Sequence, residues 1–235
     1  MQLLVVAAVR ALAYKVFIGW DSREDVAYQV SRSSILRRTE AAVQVFPLKQ
    51  QDLKDAGYYT RPKDPLASTE FTFTRYLISD IVSSGWALFI DCDTVCLDDI
   101  EKLFDQRDDR YAVMCAKHDY TPTSTYKMDG QRQTIYPRKN WSSVMLINCS
   151  HPSNRKLTLD LVNNTDYNAS YFHRFSWLDD GEIGEFSYEW NYLVGWYKSG
   201  NPKILHWTEG GPWFENHRNT EYADVWREEL ISTFS

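Results

Sequence analysis

Apolar and polar positions fall in blocks along this chain. Lys15–Trp20 (KVFIGW) is a short β-rich run, and Asp21-Ser22 follow it as capping residues for a helix expected over 23–38. Ala42–Phe46 reads as a second strand ending at Pro47, and the polar stretch 50–68, with Gly57, Pro62 and Pro65, reads as a loop. Phe73, Tyr76, Leu77 and Ile81 recur at helical spacing and predict a helix over 69–83, stopped by Gly85. Trp86-Ala87-Leu88-Phe89-Ile90 carries no charge, the pattern of a strand buried on both faces of an α/β sheet. A turn at Asp98-Asp99 then leads into a short helix through Phe104. Strands at 111–116 and 142–148, a helix at 157–163 and a late strand at 203–207 complete the pattern. From Asp166 onward the chain is rich in aromatics, Gly and Asn. Strands alternate with helices in the first half, which predicts an α/β fold. With no repeat and no linker, one domain is expected over 15–235, after an N-terminal extension at 1–14.

The buried strand ends on Asp91-Cys92-Asp93. In an open α/β sheet, ligands gather at the carboxyl ends of the strands, so acids placed there point toward a site. Two carboxylates this close repel each other and lose solvation unless a cation sits between them. A hard divalent ion, Mg²⁺ or Mn²⁺, held by a few protein oxygens and completed by phosphate oxygens, relieves that cost. The tripeptide arises often by chance; its place directly after a buried strand gives it weight.

Composition narrows the picture. A net charge of −6, with basic residues in small groups and no sustained run, excludes nucleic acid as the expected partner. Aromatic content of 15% fits a large core or a sugar-binding cleft, and composition does not separate the two. Cys92, Cys96, Cys115 and Cys149 lie in or beside apolar segments without metal-type spacing, so buried free thiols and a reducing, cytoplasmic setting are expected. Residues 1–13 (MQLLVVAAVRALA) have an apolar run and an Ala-Leu-Ala end. The run is short, carries no side-chain charge before it and is interrupted by Arg10, so it reads as an extension and not a secretory signal, and it is too short for a membrane span. The Asn-x-Ser/Thr matches at Asn140, Asn148, Asn163 and Asn168 read as chance, because Asn148 sits on an apolar strand and Asn140 beside one.

Several segments together carry a family likeness. They are Asp21 after the first strand, Arg75 before the acid pair, FIDCDTVCLDDIEKLF at 89–104, KNWSSVMLIN at 139–148, and His206 near Gly210-Gly211-Pro212-Trp213. Spread in order from about residue 15 to 215, they resemble glycosyltransferase family 8, the glycogenin and galactosyltransferase-like group. The resemblance implies a single Rossmann-like GT-A domain with a mixed sheet. It further implies a metal-dependent enzyme that moves a sugar from a nucleotide diphosphate sugar, with UDP-sugar expected, to a hydroxyl on a glycan acceptor, retaining the anomeric configuration.

Carried over residue by residue, the resemblance gives Asp91 and Asp93 the metal, Mn²⁺ or Mg²⁺, with His206 as third ligand. Gly210-Gly211 would let backbone approach the diphosphate. The family usually has a Lys where this chain has Gly211, which leaves Arg75 and Lys117 as candidates for the missing positive charge. Arg75 also matches the family's donor-binding arginine. Asp21 matches the residue that reads the uracil or ribose, beside its plain reading as a helix cap. Asn140, Ser142 and Ser143 match the segment lining the sugar pocket, with Trp141 inserted. Asp179 and Asp180 fall where the family has Asp-Gln-Asp, upstream of Trp190-Asn191, and Asp180 is favoured as the acid facing the sugar. Two other readings stand beside this one. A metal-dependent nucleotidyltransferase or phosphohydrolase would want more carboxylates and a phosphate-binding Gly-Lys loop. A non-catalytic carbohydrate-binding protein would explain the aromatics but not the acid pair with a late His.

Overall fold

The computed structural model describes residues 13–121, 126–127, 131–132 and 137–235; expectations for residues 1–12 lie outside them. Along the chain run β1 (Tyr14–Gly19), α1 (Asp25–Arg38), β2 (Val43–Leu48), α2 (Gln50–Asp55), α3 (Ile78–Val82), β3 (Trp86–Ile90), β4 (Thr94–Cys96), α4 (Glu101–Phe104) and β5 (Val113–Cys115). There follow β6 (Tyr126–Lys127), β7 (Gln131–Arg132), β8 (Val144–Asn148), α5 (Leu159–Asn163), α6 (Ala169–His173), β9 (Ile183–Glu185), β10 (Tyr192–Leu193), β11 (Ile204–His206) and α7 (Ala223–Phe234). The main sheet has the order β2-β1-β3-β8-β5-β9, and β8 alone runs against the other five strands. A second sheet, β10-β11-β4, lies beside it, and β6 and β7 form a separate pair. The fold is therefore α/β with a mixed central sheet, as expected.

The uncharged run at 86–90 becomes β3, and from Ala87 to Ile90 it is buried. A strand covered on both faces must be apolar along its length, which is why this element was visible in the sequence. Strand β2 continues past its expected end through Pro47 to Leu48; it lies at the sheet edge, where a residue without an N–H is tolerated. Helix α1 starts at Asp25 and is preceded by Glu24, so Asp21 does not cap it. The expected helix over 69–83 divides into turns, a 3₁₀ segment at Thr74–Leu77 and the short α3. Its first residues have their backbone groups taken elsewhere: Asp21 accepts the Glu70 N–H at 3.1 Å and Gln50 donates to the Glu70 carbonyl at 2.7 Å. Strands β4, β9 and β10, α2 within the expected loop, and α7 were not anticipated. Helix α7 buries Trp226 and sends Glu229 to Arg37 and Arg38 of α1. All four cysteines are buried free thiols. Among the described residues no helix is long and apolar enough to cross a membrane.

Candidate active site

Strand register collects the site at the carboxyl end of β3. Ile18 of β1 lies beside Ile90, so Asp21 leaves the sheet at the same edge as Asp91. Val144 of β8 is also opposite Ile90, so the segment 140–143 arrives there from the other side. The Asp91 N–H donates to the Ser143 carbonyl at 2.8 Å. The second sheet supplies the remaining member. His206 stands opposite Thr94 in the β11–β4 ladder, and the Trp207 N–H donates to the Asp93 carbonyl at 3.0 Å. Ligating atoms of Asp91, Asp93 and His206 consequently lie within 4.8 Å of one another.

The hydrogen bonds around His206 place a proton on Nδ1. Ser143 Oγ donates to the Asn140 carbonyl at 2.7 Å and therefore accepts from Asn191 Nδ2 at 3.0 Å. With Nδ2 also donating to the Asn140 carbonyl, the amide oxygen of Asn191 must be the atom 2.9 Å from His206 Nδ1. An amide oxygen only accepts, so Nδ1 carries a proton, and Nε2 is the ring atom left to meet a proton or a cation. Nε2 lies 3.3 Å from Asp93 Oδ1, and both groups are buried. A lone pair set against a carboxylate oxygen is repulsive unless a proton or cation lies between them. Two carboxylates and an imidazole oriented from behind by an amide form a donor set that fits a divalent metal.

Arg75 is 4% exposed. Its Nη1 donates to Asp91 Oδ1 at 2.8 Å and to the Ser142 carbonyl at 2.9 Å. The guanidinium lies between the Phe71 and Phe89 rings, 5.0 and 4.7 Å from their centroids, contacts worth about 0.5–2 kcal/mol each when desolvated. So held, Arg75 orients Asp91. Asp21 is fully buried and takes two side-chain hydrogen bonds from Arg23. Burial pushes its carboxyl up, and the Arg23 bonds more than reverse this, leaving it below the usual carboxylate range. Cys92 is held well above the usual thiol range by burial first, then by the charges of Glu24, Asp93, Asp91 and Asp21 around it. The edge is thus a concentration of negative charge.

Two further side chains aim polar atoms into this region. Asn140, in the left-handed region at φ 65°, accepts the Thr208 hydroxyl through Oδ1 at 3.0 Å. Its buried Nδ2 has no hydrogen-bond partner among the described residues. His118 is buried with Nδ1 2.7 Å from the Tyr197 hydroxyl, and its Nε2 likewise has none. Burial and then nearby His206 push the His118 imidazole down to about 3, so it is neutral at ordinary pH.

The sequence-predicted residues separate into two groups. Asp91, Asp93, His206, Arg75, Asn140, Ser142 and Ser143 are joined by the contacts above, and Asp21 shares their sheet edge. Lys117 donates to the Ile183 carbonyl at 2.8 Å and stands two residues past β5. Gly210 and Gly211 follow β11, and both have packing reasons to be glycine. A Cβ on Gly210, at φ 124°, would lie 2.9 Å from the His217 ring, and one on Gly211 would lie 2.0 Å from the Trp213 ring. Gly211→Ala is expected to cost about 1–3 kcal/mol of stability, the range for overpacking; thermal denaturation checks this, and an unchanged midpoint contradicts it.

Asp179 and Asp180 are not brought to the cluster. Ile183 pairs with Val113, at the end of β5 remote from Cys115, so the acids precede the amino end of β9. The Asp180 side chain is 85% exposed and paired with Arg138. Sequence reasoning missed Asn191, His118 and His173, whose Nδ1 lies 2.8 Å from Ser142 Oγ. Lys117 was chosen for its charge, and the same position past β5 brings in its neighbour His118. Asn191 entered only as half of the Trp190-Asn191 pair, without a role, and nothing local marked His173.

No protein-family model matches the chain. Its sequence is 46% identical over 224 residues to Protein CDI of Arabidopsis thaliana, across 92% of this chain and 86% of that protein. Among solved structures, the glycosyltransferase GlyE of Streptococcus pneumoniae aligns with a TM-score of 0.63 at 15% identity, over 94% of this chain. This chain spans only 60% of GlyE's length. The galactosyltransferase LgtC, solved with donor and acceptor sugar analogs, aligns with a TM-score of 0.55 at 12% identity, over 93% of this chain and 95% of its own. Mouse xyloside xylosyltransferase 1 aligns at 0.53 and 14% identity, over 84% and 98%. At these identities the likeness is one of fold, the GT-A-like fold of glycosyltransferases.

Proposed function

The chain belongs to the family of Arabidopsis thaliana Protein CDI, and we propose that it is a metal-dependent glycosyltransferase of the family-8 type. On this reading it transfers a sugar from a UDP-sugar to a hydroxyl of a carbohydrate acceptor, with retention. One observation carries the proposal: with Nδ1 engaged by Asn191, His206 Nε2 faces Asp93 at 3.3 Å beside Asp91. The GT-A-like fold supports it.

Asp91, Asp93 and His206 would hold Mn²⁺ or Mg²⁺, which when bound supplies positive charge where the departing diphosphate becomes negative. Arg75 keeps the Asp91 carboxylate turned toward that position. Buried Asn140 Nδ2 offers a donor to a sugar hydroxyl, and Asp21, at the same edge, is assigned to the nucleoside. Lys117, Ser142, Ser143, Gly210 and Gly211 complete the donor side as neighbours. Asp179 and Asp180 are left out of this machinery because register and exposure place them apart. With Asp179 and Asp180 apart from the cluster, the acceptor proton is assigned to the leaving phosphate oxygen, a route open to a retaining transferase.

Incubation with UDP-glucose and UDP-galactose in Mn²⁺ is expected to release UDP. Release of UMP would instead identify a nucleotidyltransferase or phosphohydrolase. The anomeric proton signals of donor and product, followed by NMR during turnover, are expected to show the same configuration. An inverted product would remove the family-8 mechanism.

A further inference from the structure

His173 stands outside the metal cluster and clasps two of the segments that build it. Its Nδ1 is 2.8 Å from the Ser142 hydroxyl oxygen and 2.8 Å from the Tyr76 hydroxyl oxygen. Tyr76 adjoins Arg75 in the 3₁₀ segment Thr74–Leu77, and Ser142 supplies the carbonyl to which Arg75 Nη1 donates at 2.9 Å. One ring nitrogen thereby closes a loop of contacts. It runs from Arg75 to Tyr76 along the chain, through two hydroxyls at His173 to Ser142, and back to Arg75 through the Ser142 carbonyl. Packing decides where the imidazole stands. Phe172, fully buried in α6, stacks on Tyr76 with ring centroids 5.2 Å apart and meets Phe73 edge to face at 6.0 Å. The His173 ring itself meets Tyr76 edge to face at 5.9 Å. Helix α6 is thus fastened by its rings to the segment that carries Arg75.

The consequence falls on Asp91. Arg75 Nη1 carries two N–H groups, one spent on the Ser142 carbonyl and the other on Asp91 Oδ1. The guanidinium is planar, so the direction of the N–H that meets Asp91 follows from where the Ser142 carbonyl stands. The next carbonyl, that of Ser143, accepts the Asp91 backbone N–H at 2.8 Å. Ser142 and Ser143 together therefore place both the backbone and the carboxylate of Asp91. Their hydroxyls are anchored in different directions: Ser143 is tied through Asn191 to His206, and Ser142 is tied to His173. Without His173 the Ser142 carbonyl is freer to turn, Arg75 turns with it, and Asp91 loses its fixed orientation. Groups in direct contact with a ligand alter metal affinity by about 10–100-fold, and a group acting through two intermediaries should do less.

We propose that His173 is a positioning residue of the metal site: it holds Ser142 and, through Arg75, keeps the Asp91 carboxylate turned to receive a divalent ion. The role rests on the metal-dependent reading above, and the test separates the two. Mn²⁺ binding to the full chain, followed by the electron paramagnetic resonance of the free ion, needs no turnover. His173→Ala is expected to raise the Mn²⁺ dissociation constant at least threefold. His173→Asn, whose amide reaches the place of Nδ1, is expected to stay within twofold of the wild type. Ser142→Ala removes only the hydroxyl and should give a rise of similar size; it decides the matter if His173→Ala does not fold. Combining the two Ala substitutions should add less than twofold to the larger single effect, because both break the same contact. Wild-type Mn²⁺ affinity in the Ala variants, even with a lowered thermal midpoint, would reduce His173 to packing and overturn the role. So would His173→Asn binding as weakly as His173→Ala, or single losses that multiply in the double variant. Each of these leaves the metal reading standing. A wild-type chain that binds no Mn²⁺ would overturn the metal reading, and the positioning role with it.

Discussion

Asp93→Asn is expected to lower UDP-sugar turnover by about 10²–10³-fold, the scale of losing one group that stabilises charge in the transition state. The substitution removes a charge at nearly constant shape, so folding should survive it. It should even help the metal-free protein: Asp93 shares its surroundings with Asp91, Glu24 and Asp21 around Cys92, and neutralising one of four crowded acids relieves repulsion. Thermal denaturation in EDTA should therefore give a midpoint equal to or above that of the wild type, while steady-state turnover in Mn²⁺ collapses. Gain of stability with loss of activity is the pattern of a site strained for function. Turnover at the wild-type rate would contradict the metal assignment.

His206→Ala is expected to raise the Mn²⁺ concentration for half-maximal activity by at least about 10–100-fold, since even groups behind a ligand affect metal affinity on that scale. Asn191→Ala should move it in the same direction by less, because it frees the His206 tautomer without removing the ligand. The pair of variants distinguishes ligation from packing. If His206 only filled space, its removal would lower the thermal midpoint and leave the metal titration where it was, and Asn191→Ala would have no effect on that titration.

How much of this could be read from the sequence depended on how local each signal was. The strand at 86–90 and its two terminal acids were legible because burial on both faces demands an uncharged run, and the acids follow without a gap. His206 was legible only through the family pattern; its position beside Asp93 comes from the β11–β4 register, between elements of three residues each. Such short strands leave no periodicity to find. The Phe73-to-Ile81 spacing was real, since those side chains do turn inward, yet Asp21 and Gln50 bind the backbone of Glu70 and a continuous helix does not form. Asp179 and Asp180 looked right as a local motif. The pairing of β9 with β5 decides their place before the amino end of β9, and Asp180 turns to Arg138. Asn191 shows the same limit from the other side, an amide whose role exists only once four segments meet at His206.

A metal-dependent nucleotide-sugar site at Asp91, Asp93 and His206 has a direct thermodynamic signature. Calorimetric titration of UDP into the wild-type chain, once in Mn²⁺ and once in EDTA, tests it most directly. Saturable binding is expected in Mn²⁺ and is expected to disappear in EDTA. Binding of equal affinity in both buffers, or no binding in either, would contradict it.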